Sequence, residues 1–359
     1  MPSVVQLSAP GVVRLVPCEP QPLTPGAVRV RTWYSGISAG TELTAYRGSN
    51  PYLTKAWDTG RRLFLDGDPS VAYPMAGWGY SEVGEVVEAA DDVRAPAVGE
   101  VVHGVWGHRS DAVVPAASLA ARQVPAGLDP LHAVFARVGA IALNAVLAAD
   151  VHLGERVAVF GQGVIGLLAT RLARLSGGDV VAVDGLEHRL ALARLMGATA
   201  VVPVTAPGGA GVGVRAVTGD AGVDVAIELS GSYRALHEAV RSVVPDGTVV
   251  ASGFYQGGGE QLRLGEEFHH NRVRIVASQI GGTPAALGPR WDHERLVRVF
   301  MAQVASGAVD VRPLVTDVLD ADRVAEAFAR LDGGGGETLQ VILRFDGDPA
   351  AGPTGADLA

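Results

Sequence analysis

The sequence contains one cysteine, Cys18, and one lysine, Lys55. A lone thiol excludes a disulfide framework within the chain and any cysteine-rich zinc site. A lone lysine removes lysine nucleophiles and Schiff bases from every position but 55. No apolar run reads as long enough to cross a bilayer, and no charged-then-apolar leader opens the chain. The net charge is −9 with no basic patch, which argues against a nucleic-acid partner. These absences set the expectation of a soluble cytoplasmic protein that meets a small-molecule substrate, with no nucleic acid and no membrane.

What is present is glycine, 47 of 359 residues, in a chain that is 48% hydrophobic. That length suits two domains with sizeable cores. The most informative stretch runs from Gly154 to Asp184. An apolar run, Val157 to Phe160, leads into Gly161-Gln-Gly163-Val164-Ile165-Gly166, apolar residues at helical spacing follow to Leu175, and a second apolar run ends on Asp184. This order is strand, glycine turn, helix, strand, and each part suits a bound dinucleotide. Gly161 permits the tight turn, Gly163 lets backbone approach a pyrophosphate, and Gly166 lets helix pack on strand. The helix start at Val164 and Ile165 offers unpaired N–H groups to the anion. An acid about 20 residues on accepts from the ribose hydroxyls, and Asp184 occupies that place. A 2′-phosphate there would meet a carboxylate, so NAD is favoured over NADP.

Ahead of this unit, Val4–Leu7, Val12–Leu15 and Ala27–Tyr34 read as short strands between proline and glycine turns, the pattern of an antiparallel sheet. Residues 49 to 73 form a long polar and aromatic insertion without period, and Tyr80–Ala89 and Gly99–Trp106 read as further strands. Behind it, Val180–Asp184, Ala200–Pro203, Val223–Glu228, Thr248–Ser252 and Val273–Gln279 are apolar runs separated by helical stretches, which predicts a buried parallel sheet. Pro130–Ala149 reads as a helix joining the two parts.

With these signposts in order, residues 1 to 345 resemble the medium-chain dehydrogenase/reductase superfamily, the alcohol dehydrogenase and quinone oxidoreductase group. Gly36-Ile37 with Gly40-Thr41-Glu42 looks like its GxCGTD segment, Gly79–Val86 its GHExxGxV segment, Val98–Val102 its GDRV turn, and Ser110–Pro115 its AEYxxVP strand. The resemblance implies an α/β protein: a GroES-like β domain over 1–125, a doubly wound Rossmann domain binding NAD over 126–285, and a return segment over 286–345 to the first domain. Residues 346–359 read as a disordered tail. The last sheet strand, if it lies at an edge, is a pairing edge for a homodimer.

The family's catalytic zinc ligands are missing from the corresponding positions. The first is Ser38, or Ala39 with the extra residue placed differently; the His-Glu pair is Tyr80-Ser81; the third is Arg137, or Ala136 by the alternative count. The structural-zinc lobe is replaced by Gly107-His-Arg-Ser110. No metal is therefore expected, and the chain reads as a zinc-independent branch. Something else must then handle the substrate oxygen, because hydride arriving at a carbonyl carbon leaves alkoxide behind. Tyr80 is the candidate proton donor, Arg137 the candidate fixed cation, Glu42 a partner for Arg137 or a proton relay, and Thr41 part of the same relay. Against these stand plainer readings: Tyr80 packs with its hydroxyl capped, and Arg137 and Glu42 form only a structural ion pair. Ser38, Trp57, Trp106 and His108 are assigned to the substrate pocket, with Trp106 an aromatic wall and His108 either meeting substrate or solvated on its short loop. Arg189 is placed over the adenine, and Ser230 and Gly253 beside the nicotinamide. His103 reads as a core histidine, and His237 as standing singly and exposed on a helix.

The activity implied is hydride transfer between NAD(H) and a secondary alcohol or ketone, with a cyclitol, sugar or other secondary-metabolism substrate. Two alternatives remain open, an NADPH-dependent enoyl or quinone reductase and a dinucleotide-binding sensor without turnover.

Overall fold

The computed structural model describes residues 1–333 and 336–345; the predicted tail, 346–359, lies outside them. In chain order the first elements are β1 (Ser3–Ala9), β2 (Val12–Pro17), β3 (Ala27–Gly36), α1 (Thr41–Tyr46), β4 (Ala56–Asp58), β5 (Leu63–Leu65), β6 (Met75–Ala76), β7 (Glu82–Ala89), β8 (Val101–Gly104) and β9 (Asp111–Pro115). There follow α2 (Ala136–Ala148), β10 (Arg156–Phe160), α3 (Val164–Leu175), β11 (Asp179–Asp184), α4 (Glu187–Leu195), β12 (Ala200–Pro203), α5 (Ala210–Val217), β13 (Val223–Glu228), α6 (Tyr233–Ser242), β14 (Val243–Ala251), β15 (Arg274–Ala277) and α7 (His293–Ala305). The chain ends on β16 (Val315–Asp320), α8 (Val324–Asp332) and β17 (Gln340–Arg344).

The chain divides into two compact units. One comprises Met1–Phe135, Asp317–Gly333 and the chain from Gln340; the other comprises Ala136–Thr316 and residues up to Leu339. The return to the first unit thus begins near 317, later than the sequence predicts. The reason is packing: Phe300 on α7 lies against Gly139 on α2, where a Cβ would fall 2.1 Å from its ring, so the segment around α7 stays with the nucleotide unit.

In the first unit the strands form an antiparallel sheet in the order β16-β17-β3-β7-β8, with β9 also paired to β3, and a smaller sheet β2-β1-β6. The insertion contains a short β4-β5 hairpin. Alternation along β3 and β7 turns Val28, Val30 and Val86 into a core with Val102 and Val114, and Leu7, Ile37, Leu43 and Phe328 fill a second core against α8.

The second unit holds a six-stranded sheet in the order β12-β11-β10-β13-β14-β15, parallel throughout. This is the Rossmann order, with its switch point between the first and fourth strands, where such sheets bind ligands at their carboxyl ends. Val157 to Phe160 are at most 1% exposed, as expected of a strand covered on both faces. β15 lies at the sheet edge. The stretch Pro130–Ala148, against expectation, is long and apolar enough to cross a bilayer by length and composition. Its window is 67% buried in the protein, the setting of a core helix.

Candidate active site

The glycine turn sits at the switch point. Gly161 has φ +88°, a Cβ on it would meet Ser230 N at 2.8 Å, and a Cβ on Gly166 would lie 1.7 Å from the Gly161 carbonyl oxygen. No side chain fits at either position. Gly163 is different: nothing lies within 4 Å of its missing Cβ, and it caps α3 with no side chain on the helix N–H groups. Open space beside orphan donors is what a pyrophosphate requires. The residues therefore fit a dinucleotide, with Val164 and Ile165 on the first turn of α3.

Asp184 ends β11 and is 8% exposed. Its Oδ2 accepts from Gln162 N at 2.6 Å and its Oδ1 from Leu186 N at 2.9 Å, which orients the carboxylate at the edge of the turn. Arg189 sends Nη2 to the Thr338 carbonyl at 3.3 Å instead of lying free above a base site. At the ends of β13 and β14, one buried carboxylate organises both loops. Glu228 accepts from Ser230 N at 2.7 Å, Gly231 N at 3.2 Å, and the hydroxyls of Ser230 and Tyr255. A Cβ on Gly253 would fall 2.3 Å from Gly231 N, so the two loops touch through glycine. Burial pushes the Glu228 carboxyl above its ordinary value, only partly offset by these hydrogen bonds. Burial and the neighbouring Glu228 together push Tyr255 up strongly. Sequence reading named Ser230 and Gly253 but not the carboxylate that positions them.

Arg137 opens α2, with Nη1 2.6 Å from His293 Nε2. Glu42, offered as its partner, is committed elsewhere. In the first unit Glu42 Oε2 is 2.7 Å from His108 Nε2, and His108 Nδ1 is 2.5 Å from Ser35 Oγ. Ser35 also donates to Glu82 Oε1 at 3.2 Å, and Glu82 Oε2 accepts from Trp106 N at 2.7 Å. His108 and Glu42 are both fully buried. Burial opposes a charged imidazole, but the Glu42 carboxylate outweighs it and holds the His108 pKa above its ordinary value. Burial pushes both Glu42 and Glu82 upward.

This network corrects two expectations. His108 is not solvated and does not line a pocket; Val5 N donates to its carbonyl at 2.9 Å, drawing the short loop beneath β1. Trp106 is 8% exposed in the core of the sheet, with Nε1 donating to Thr32 Oγ1 at 2.9 Å, and so is a core residue and not a pocket wall. Thr41 opens α1, its carbonyl accepting from the Thr44 hydroxyl at 2.7 Å. Trp57 packs on Phe64 across the β4-β5 hairpin, ring centroids 4.8 Å apart. His103 is a core histidine as expected, its pKa pushed down to about 3 by burial and then by Arg122.

Tyr80 donates its hydroxyl proton to Ser38 Oγ, which joins two of the positions that the family resemblance matches to metal ligands. Zinc takes thiolate, imidazole or carboxylate donors. Ser38, Tyr80 and Ser81 supply none of them, and the adjacent Glu82 is bound into the buried network. The donor set does not fit the family's catalytic zinc.

Comparison with known proteins agrees with the fold. The family model described as "Zinc-binding dehydrogenase" matches residues 164–291. D-guloside 3-dehydrogenase of Shigella flexneri is 30% identical over 321 residues, covering 87% of this chain and 91% of that protein. Among solved structures, the NADP-bound zinc-binding dehydrogenase target from Sinorhizobium meliloti 1021 superposes with TM-score 0.76 at 23% identity, and an alcohol dehydrogenase of Escherichia coli CFT073 complexed with NADH with TM-score 0.76 at 20%. Each covers 96% of this chain and 99% of its own. The chain belongs to the zinc-binding dehydrogenase family of the medium-chain dehydrogenase/reductase superfamily, and it is an enzyme of that dehydrogenase class built from a GroES-like and a Rossmann unit.

Proposed function

We propose that the protein is an NAD(H)-dependent dehydrogenase that oxidises a secondary hydroxyl of a sugar or cyclitol, or reduces the matching ketone, without a catalytic zinc. The observation that supports this reading is the hydrogen bond between Tyr80 and Ser38, two hydroxyl residues at positions that the family resemblance matches to metal ligands. The substrate class is supported by the similarity to a D-guloside 3-dehydrogenase over most of both chains. NAD is supported by Asp184, whose buried, oriented carboxylate would repel a 2′-phosphate.

When bound, the nicotinamide supplies the hydride donor or acceptor. In the reducing direction Tyr80 gives its proton to the oxygen that gains negative charge, and Ser38, bonded to that hydroxyl, passes on a replacement proton while taking one from solvent water; oxidation runs in reverse. Glu42 drops out of the relay, because it is bound to His108 in the core, and Thr41 keeps its place in it. The same reading makes the protein a cytoplasmic homodimer paired through the edge strand β15.

The test is a panel of D-gulosides, free sugars and cyclitols with NAD+ or NADP+, following absorbance of the reduced cofactor. Turnover of a polyol with NAD+ supports the proposal. Reduction of enones or quinones with NADPH alone would replace it with the enoyl-reductase reading.

A further inference from the structure

His237, expected to stand alone and exposed on its helix, is 8% exposed and has two acidic neighbours. Glu266 and Glu267 lie in a π-type turn, Leu264–Phe268, on the excursion between β14 and β15. One ligand atom from each of the three residues lies within 4.8 Å of the others.

Three features go beyond mere proximity. His237 Nε2 stands 3.8 Å from Glu266 Oε2, too far for a hydrogen bond, and Nδ1 is buried without a partner. A buried imidazole thus makes no hydrogen bond by either nitrogen, an arrangement that destabilises the fold unless something else binds it. Glu267 Oε2 is likewise buried and unpartnered. Finally, each carboxylate is held at its other oxygen by an arginine. Arg241 Nε is 3.4 Å from Glu267 Oε1, and Arg263 Nη1 is 3.4 Å from Glu266 Oε1. The arginines leave Glu266 Oε2 and Glu267 Oε2 to a further ligand, as outer partners do around metal-binding carboxylates.

We propose that His237, Glu266 and Glu267 bind a divalent transition ion of the zinc type, separately from the dinucleotide cradle and from the Tyr80–Ser38 pair. Two donors about 2.0–2.1 Å from one tetrahedral ion stand roughly 3.3–3.5 Å apart. The 3.8 Å gap closes by a small rotation of Glu266, whose side chain is 48% exposed. One imidazole and two carboxylates suit Zn2+, with water at the fourth position, better than the all-oxygen shells of Ca2+ or Mg2+. The bound ion would pin α6 to the excursion that begins beside Gly253 and Tyr255.

The experiment titrates the full-length, metal-stripped protein with Co2+, read by its tetrahedral visible absorption, and repeats the titration under Zn2+ competition. The expected result is about one equivalent bound, displaced by Zn2+, with affinity reduced by about tenfold or more in Glu266→Gln and His237→Gln and unchanged in Ser38→Ala and Tyr80→Phe. Glu266→Gln keeps the test valid if the buried His237→Gln fails to fold. No band in the wild-type protein, a band unaffected by Glu266→Gln, or a band lost in Ser38→Ala or Tyr80→Phe would overturn the proposal.

Discussion

His108 Nε2 lies 2.7 Å from Glu42 Oε2, and neither side chain reaches solvent. Breaking such a pair from one side strands a buried charge at a cost of about 3–5 kcal/mol. His108→Leu and Glu42→Leu should each lower the denaturant midpoint sharply, while the double variant loses less than the sum of the two. Strict additivity in that cycle would show that the pair is not coupled.

The same pair sets a sign for pH. The folded-state pKa of His108 is raised, so its contribution is fully present below the ordinary value of 6.5 and is lost as pH rises through the folded value. Thermal scans should show stability falling on the alkaline side in the wild-type protein, and a flatter alkaline limb in His108→Gln. Parallel alkaline limbs would contradict the assignment.

His103 acts at the opposite end. Its folded pKa of about 3 lies below the ordinary 6.5, so the unfolded chain takes up a proton that the native state refuses. Stability is lost as pH falls from about 6.5 toward 3. Replacing His103 with Leu should flatten that acid limb, measured as the denaturant midpoint against pH.

Asp184 and Glu228 are expected to affect cofactor binding in different ways. Asp184→Ala removes the charge that would oppose a 2′-phosphate and should shift the NADH to NADPH affinity ratio by about 10- to 100-fold, or 1.4–2.7 kcal/mol. Glu228→Gln turns one acceptor into a donor facing Ser230, Gly231 and Tyr255. It should weaken both cofactors alike, with Tyr255→Phe following in the same direction and to a smaller degree. Fluorescence titration of both reduced cofactors separates the two effects, and an unchanged ratio in Asp184→Ala would remove the basis for preferring NAD.

Local signals carried the Rossmann unit. Gly161, Gly163, Gly166 and Asp184 fall within one strand-turn-helix-strand unit, where spacing alone fixes the geometry. The apolar runs from Val180 to Gln279 likewise mark strands β11 to β15. The first unit was legible as strands but not as a site. His108 and Trp106 read as loop and pocket residues because their burial depends on β1 and β3, some 70 to 100 residues away in sequence. His237 looked solitary because its acidic neighbours follow nearly 30 residues later, after a whole strand and an irregular excursion. Glu228 ends an apolar strand as any polar boundary residue would, and only the fold brings Tyr255 back to it.

The measurement closest to the central claim is turnover of a D-guloside or cyclitol before and after metal removal, made in the Glu266→Gln background so that zinc held away from the active site does not confuse the count. A metal-free mechanism predicts a rate unchanged by chelation and a loss of about 10²- to 10⁴-fold in Tyr80→Phe. A rate abolished by chelation and restored by Zn2+, with Tyr80→Phe near wild type, would contradict it.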